Sequence, residues 1–296
     1  MFSKTQSSAK PKLACEISSD RVLAGRLSDS SVVDCAAHDL TPGIITPDLT
    51  ESNVHDRNAV YRAIHDALDS LSGRSTDVIA VLPDSAVRVV LLDFESLPAK
   101  RDEAEAVVRF RLKKSLPFDV DKAKVSYHAE KATSGMRVIA AVALSSVVEE
   151  YESLFRDAGY NPGVVLPSTL SALGATSGER PTLVLKVDSR TTSIAILAQK
   201  QLLLFRALEN PSGTAITGEK LAEDVYPSVV FFQDTYNLNI DQIFVSGIPQ
   251  AREAAPALKA QTGADVQDLV SSLPVSKISG SAPQWQMAGV VGALVS

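Results

Sequence analysis

The feature of this 296-residue chain that most restricts its fold is a unit that occurs twice. Residues 12–27, KLACEISSDRVLAGRL, run from an apolar stretch into Glu16, through a hydroxyl-rich turn of Ser18, Ser19 and Asp20, and into a second apolar stretch. Residues 181–199, PTLVLKVDSRTTSIAILAQ, repeat the pattern: an apolar stretch, Asp188, the polar turn 189–192, and a second apolar stretch opened by Ser193. Short aliphatic runs bounded by turn formers predict tightly joined strands. A third run follows each copy, at 31–37 and at 201–208, so each half opens as a three-stranded meander. A repeated unit at the head of each half predicts a duplicated fold. An acid at a strand end, beside hydroxyls and turn N–H groups, can meet a phosphate or a hydrated Mg²⁺; an ordinary hairpin with a polar tip reads the same way.

The remaining segments fill out two halves, as the length predicts. A helix is expected over 56–72, with Val60, Ile64, Leu68 and Leu71 on one stripe and Gly73 at its end. Strands follow at 77–82 and 86–92. The stretch 97–163 has a different texture. It contains a charged helix at 100–114 stopped by Pro117, strands at 124–130 and 136–144, and a helix at 145–158 with Ser145 at its cap. This predicts a small α/β insert inside the first half. Residues 166–173 return to that half and 174–180 link it to the next. The second half continues with a helix over 218–236, kinked or broken at Pro227, a strand at 243–246, a helix at 251–261, a strand at 264–266 and a terminal helix at 283–295. The expected architecture is α/β, actin-like: two RNase H-like lobes and an insert. Residues 1–11 form a disordered tail, 12–96 and 164–176 the first lobe, 97–163 the insert and 181–296 the second lobe.

Composition narrows the function. Hydrophobic residues make up 45% of the chain, enough for sizeable cores. A net charge of -6 and a pI near 5.3 argue against nucleic acid or an anionic membrane as the main partner. The first residues, MFSKTQSSAKPK, lack the apolar core of a signal peptide, and no run reaches the length of a membrane span. Cys15 and Cys35 fall on the first and third strands of a meander, which are not adjacent, so a disulfide is not expected and a reducing cytoplasm fits. His38, His55, His65 and His128 have no metal-ligand spacing, and Ser168 and Ser246 lie outside any nucleophile-elbow context. Asp84 and Asp93 are turn formers or candidate bases. Arg109, Arg111, Lys113 and Lys114 form a basic helix face, either simply solvated or open to a partner.

With its pieces in this order, the sequence resembles the PilM family of type IV pilus assembly proteins, which are similar to the cell-division protein FtsA and to actin. The stretches that carry the resemblance are 13–27; 103–128, EAEAVVRFRLKKSLPFDVDKAKVSYH; 183–208, LVLKVDSRTTSIAILAQKQLLLFRAL; 240–267, IDQIFVSGIPQAREAAPALKAQTGADVQ; and 285–295, WQMAGVVGALV. The resemblance implies that 97–163 is subdomain 1C, and that the protein is a cytoplasmic one at the inner face of the inner membrane, associated with the membrane through its partners. It implies that the chain binds the N-terminal tail of a PilN-like membrane protein in a groove between subdomains 1A and 1C, and meets other pilus platform proteins. Val107, Phe110, Leu116, Pro117 and Phe118, with Arg109, are the residues expected to supply that groove.

Family members also bind ATP with Mg²⁺ between their lobes, and three departures bear on that property. Actin-like phosphate turns use a glycine after the acid so that backbone can approach the phosphate; neither 16–20 nor 188–192 contains one. The glycine pair of the adenosine loop is reduced to Gly247. Only 210–218 separates the third strand of the second half from its helix, which leaves no room for subdomain 2B. If a nucleotide were bound, Glu16, Ser18, Ser19, Asp188, Thr191, Thr192 and Gly247 would be its contacts. The expectation is a scaffold without ATP hydrolysis, without a required cofactor and without a metal. The alternatives are an active ATPase or kinase of the same superfamily, and a secretion adaptor resembling GspL.

Overall fold

A computed structural model of the chain describes residues 10–28, 32–71, 73, 75–132, 134–210, 216–270, 275–280 and 282–296. The first half runs β1 (Leu13–Ile17), β2 (Arg21–Ser28), β3 (Val32–Asp39), α1 (Arg57–Asp69), β4 (Asp77–Leu82), β5 (Arg88–Phe94), α2 (Arg101–Leu112), β6 (Ala123–Lys131), β7 (Met136–Leu144), α3 (Ser145–Asp157), β8 (Asn161–Pro167) and α4 (Ser168–Ala172). The second half runs β9 (Thr182–Val187), β10 (Thr191–Ala198), β11 (Gln201–Glu209), α5 (Gly218–Tyr236), β12 (Gln242–Gly247), α6 (Pro249–Glu253), α7 (Ala255–Thr262), β13 (Asp265–Asp268), β14 (Val275–Ser279) and α8 (Ala288–Val295).

Two sheets share one strand order. The first is β14-β3-β2-β1-β4-β8 and the second is β11-β10-β9-β12-β13. In each, an antiparallel meander is extended by two parallel strands on the side of its first strand. This is the duplicated RNase H-like, actin-like fold. Side-chain alternation sets the layers. Leu13, Cys15 and Ile17 pack with Val60, Ile64 and Leu68 of α1, whose stripe matches the sequence expectation. Leu183, Leu185 and Val187 pack with Leu221, Val225 and Phe232 of α5. Ala14 and Val184 point the other way, into a central core that also holds α8. That helix, AGVVGALV, is apolar on every side and buried from Ala288 to Leu294, as such a sequence requires.

Several boundaries differ from the sequence reading, each for a packing reason. β5 was expected in the first lobe; it pairs with β7 in a separate sheet, β5-β7-β6, so the insert begins with it. The helix expected to close the insert, α3, belongs to the first lobe, because Val147, Val148, Tyr151, Leu154 and Phe155 all enter the core around α1. Its cap is Leu144 and no side chain serves it, so Ser145 is its first residue rather than its cap. The second lobe does not extend to 296. β14 pairs with β3, and α8 packs on β1, β2 and β4, returning the C-terminal segment to the first lobe. α5 runs unbroken through Pro227, since buried residues on both sides, Val225 and Val229 among them, hold it to the second sheet. The helix expected at 251–261 is divided into α6 and α7, and the terminal helix starts at Ala288. Of the expected tail, residues 1–9 lie outside the described residues, while Lys10 donates to Leu294 O at 3.1 Å. Cys15 and Cys35 are free and buried, with β2 between their strands.

Close approach of α8 to α4 depends on Gly292, where a Cβ would lie 2.3 Å from Ser171 O. Inserting volume into a packed contact costs about 1–3 kcal/mol. Gly292→Val is expected to lower the melting temperature by several degrees; an unchanged melt would mean that α8 does not hold this position in solution.

Candidate functional site

The two hairpin turns that the repeat predicts meet tip to tip. The Ser19 and Ser189 hydroxyls lie 2.6 Å apart. Each turn is also closed on itself. Ser18 N–H donates to Arg21 O at 2.9 Å, and Asp188 N–H donates to Thr191 O at 2.9 Å, the same bond in the two lobes. Ser18 Oγ donates to Asp20 Oδ1 at 2.8 Å. The N–H groups of Arg190 and Thr191 both donate to Asp188 Oδ1 at 2.7 Å. Those are the donors an anion would need at such a turn. Thr192 Oγ1 donates to Asn210 Oδ1 at 2.7 Å, and Asn210 Nδ2 returns a bond to Asp188 O at 2.9 Å.

Strand register identifies which positions of the lobes correspond. Ile17 faces Val22 at the end of its hairpin, and Val187 faces Thr192 at the end of its own. Ser18 therefore corresponds to Asp188, Ser19 to Ser189, and Glu16 to Lys186. This corrects the sequence reading, which matched Glu16 with Asp188. It also explains why equivalent positions touch. The lobes face each other about a pseudo-twofold axis, and residues beside such an axis meet their own counterparts.

Glu16 and Lys186 form an ion pair at 2.7 Å, with side-chain exposures of 3% and 7%. Ser168 Oγ donates to the same Glu16 oxygen, Oε1. The other oxygen, Oε2, is buried without a partner among the described residues and lies against Gly289, where a Cβ would come within 2.2 Å of it. Next to the pair, Asp84 Oδ1 accepts from Thr169 N–H at 2.9 Å, and Oδ2 accepts from Thr169 Oγ1 and from Ser193 Oγ of the second lobe. Burial pushes the Lys186 ammonium down, but Glu16 and Asp84 beside it reverse this and hold its pKa above the ordinary lysine value. Burial raises the Asp188 carboxyl to about 6, against the pull of Lys186 and of its own turn N–H groups.

The space left between the turns is about 30 Å³, bordered by Glu16, Ser18, Lys186, Asp188 and Gly247. That is room for about two water molecules, each of which needs roughly 10–15 Å³ by this measure. Gly247 has a local role as well: its φ is +108°, and a Cβ there would lie 1.8 Å from Val187 O. The second candidate base, Asp93, is ion-paired with Arg137 on the insert.

A larger cleft of about 490 Å³ opens beside this closed region. It is bounded by residues 47–50 of the first lobe, 87–89 and Pro117 at the insert, and Arg190, Thr191 and 205–209 of the second lobe. Of the residues expected to supply a partner groove, Pro117 is on its rim. Phe110 is 68% exposed and Val107 37%, on the outer side of α2. Leu116 and Phe118 are half-buried against the insert's own core. Arg109 is not a free cation: it pairs with Glu105 at 2.8 Å and donates to Val120 O at 3.1 Å. Arg111 lies over the Phe94 ring, and Lys113 pairs with Asp121 at 3.6 Å.

The sequence reading missed Lys186, Thr169 and Ser193, and considered Ser168 only as a nucleophile. One signal was available. Lys186 is a lone cation inside LVLKV, on the same strand face as Val184, which marks a charge directed into a core and so in need of a partner.

No protein-family profile matches the chain, and no curated protein matches it by sequence. Its fold is found in solved structures. One, from a PilM-PilN type IV pilus biogenesis complex, superposes with a TM-score of 0.76 at 17% identity, covering 96% of this chain and 98% of that one. The ethanolamine utilization protein EutJ from Carboxydothermus hydrogenoformans gives 0.55 at 10% identity, over 97% and 90% of the two chains. The cytoplasmic domain of EpsL, an inner-membrane component of the type II secretion system of Vibrio cholerae, gives 0.54 at 12% identity, over 96% and 94%.

Two measurements check the site. Removing one member of a buried ion pair costs about 3–5 kcal/mol, because the other charge is left unpaired. Lys186→Met should therefore be strongly destabilised in denaturant melts, and Glu16→Gln/Lys186→Met should recover most of the loss; a double variant no better than the single would show that the pair is not coupled. For Asp188, a folded pKa of about 6 lies above the ordinary aspartate value of 3.8. Its favourable contribution is present below the lower value and lost as pH rises through the upper one. Asp188→Asn can accept the same two turn bonds, so its stability relative to the parent should increase from pH 4 to 6 and then level off. A pH-independent difference would contradict the assignment.

Proposed function

We propose that the chain is an actin-like scaffold of a type IV pilus assembly platform, holding a partner's tail rather than turning over ATP. The observation that carries this reading is the direct contact of Ser19 with Ser189, where an actin-like enzyme needs its two turns apart around phosphate. The turn donors are occupied by the chain's own carboxylate, and about 30 Å³ remains between the two turns. A nucleotide triphosphate does not fit there, and no step is assigned to one. The partner reading is supported by the superposition on a protein from a PilM-PilN complex along nearly all of both chains. We take the partner to be the N-terminal tail of a PilN-like membrane protein, seated where the insert faces the first lobe. Among the described residues no helix is long and apolar enough to cross a membrane, so attachment to the membrane would come through that partner. The weaker superposition on the EpsL cytoplasmic domain supports the related reading of a secretion-system adaptor.

Exposed apolar anchors concentrate interface energy, typically about 2 kcal/mol or more each when truncated. Phe110 is the clean probe, because its 68% exposure means that truncation leaves the insert's core intact. Phe118 and Leu116 are shared with that core, so truncating either will also lower the melting temperature. With a PilN-like N-terminal peptide in fluorescence polarisation, Phe110→Ala should weaken binding about tenfold or more, a step of about 1.4 kcal/mol. Millimolar Mg-ATP should leave the melting temperature unchanged. Micromolar ATP affinity would restore the ATPase alternative, and equal peptide affinity in a folded Phe110→Ala protein would move the partner surface off α2.

A further inference from the structure

Among the described residues six large hydrophobic side chains stand exposed: Val107, Phe110, Tyr226, Phe231, Leu238 and Val295. A lone exposed apolar side chain is ordinary, whereas a cluster marks a contact surface. Two of the six are on α2, two are on α5, and Leu238 follows just past the end of α5. Each helix already buries one face: Val108 and Leu112 of α2 in the insert, Leu221, Val225 and Phe232 of α5 in the second lobe. A helix that is apolar on its outward side as well has a face still to cover. On α5 that outward row is extended by Pro227 and the half-buried Val230, and the Arg206 guanidinium, 5.0 Å from the Phe231 centroid, holds the ring in place.

The two faces do not meet within one copy. Val138, Ala140 and Val142 of β7 pack with α2. Arg137 leaves the other face of the same strand and lies over the ring of Tyr236, the last residue of α5. The insert's sheet therefore stands between them.

Charge decides which face meets which. Between Glu105 and Asp119 the chain carries Arg109, Arg111, Lys113 and Lys114 and no acid. From Leu221 to Asp241 it carries Glu223, Asp224, Asp234 and Asp241 and no cation. Part of each set is used locally. Arg109 pairs with Glu105, Lys113 with Asp121, and Lys220 with Asp224 and Glu223, while Arg111 covers the Phe94 ring. Lys114 and Asp234 are exposed and make no ion pair among the described residues. Two α2 faces would set lysine against lysine, and two α5 faces would set carboxylate against carboxylate. Only α2 against α5 joins opposite signs.

We propose that copies of this chain associate through α2 of one against α5 of the next, with Val107 and Phe110 packed on Tyr226 and Phe231 and Lys114 opposite Asp234. The two faces lie on opposite sides of the insert's sheet, so a copy bound through one keeps the other for a further copy, a head-to-tail arrangement. The inference goes beyond the scaffold reading and does not rest on it. A partner's tail on α2 and a neighbouring copy would compete for Phe110.

Sedimentation of the full chain, without peptide, tests it. The average mass should climb past that of a dimer as concentration rises from micromolar towards millimolar, and added salt should lower it. Phe231→Ala, at an exposed position, should weaken association at least tenfold with an unchanged melt. Lys114→Glu should weaken it as well, and Lys114→Glu/Asp234→Lys should restore it. Ala106→Cys and Thr235→Cys, at exposed positions one turn from Phe110 and Phe231, locate the contact. Mixed under mild oxidation, the two proteins should join residue 106 of one to residue 235 of the other in preference to either like pair, since Cys15 and Cys35 are buried. A mass that stays at one copy or stops at two overturns the inference. So does association that survives Phe231→Ala, a double variant that restores nothing, or disulfides between like positions.

Discussion

The arrangement of the two lobes depends on one buried ion pair, Glu16 with Lys186. A pair this enclosed contributes little net stability, because desolvation offsets most of the attraction. Its effect is on register. Any sliding of one sheet over the other within the closed interface leaves a charge unpaired in a low-dielectric interior, which is far costlier than a lost apolar contact. The neighbouring contacts are built around that requirement. Ser168 opens α4 with a hydroxyl on Glu16, Gly289 lets the backbone of α8 approach the same carboxylate, and Asp84 and Ser193 bond from opposite lobes one layer away.

The pair also shows how a duplicated chain makes a specific interface with itself. Both central contacts, Glu16–Lys186 and Ser19–Ser189, join residues 170 positions apart. Two identical halves would bring like residues together at the axis. Serine tolerates this, because a hydroxyl both donates and accepts. A carboxylate does not: two would repel across the axis, and one would have to take up a proton. Replacing one copy with lysine turns that clash into an attraction, and with it the two lobes become inequivalent.

Much of the fold was legible in the sequence, for identifiable reasons. The repeated apolar–acid–turn–apolar unit, the α1 stripe and the all-apolar terminal segment each have one stable solution, and the structure contains all three. Boundaries failed where a segment's apolar face had two candidate surfaces. β5 and α3 each border both the first lobe and the insert. β7 alternates between the two, with Val138, Ala140 and Val142 in the insert's core and Ala141 and Ala143 in that of the first lobe. No local pattern decides such a choice. The site was less legible. The hydroxyl and acid positions at the turns could be located, but their mutual contacts depend on the pseudo-twofold axis, which no short stretch encodes. Matching the two acids by residue type concealed the correspondence of Glu16 with Lys186.

The same correspondence explains what became of the second acid. Asp188 occupies the position of Ser18, one step beyond the strand end and outside the axial contact. Its short side chain cannot bridge the lobes and instead accepts two N–H groups of its own turn. Those bonds close the turn that would otherwise cradle an anion, while Lys186 draws on the carboxylates around it. A region whose turn donors are taken internally, and whose carboxylates outnumber its one ammonium, has little with which to recognise an anion. Groups left exposed and uncommitted lie on the periphery, Phe110 and the Arg88 guanidinium among them. In this molecule a closed centre fixes the lobes, and that fixity holds the peripheral groups at constant spacing, which is the condition for rigid recognition of a flexible partner.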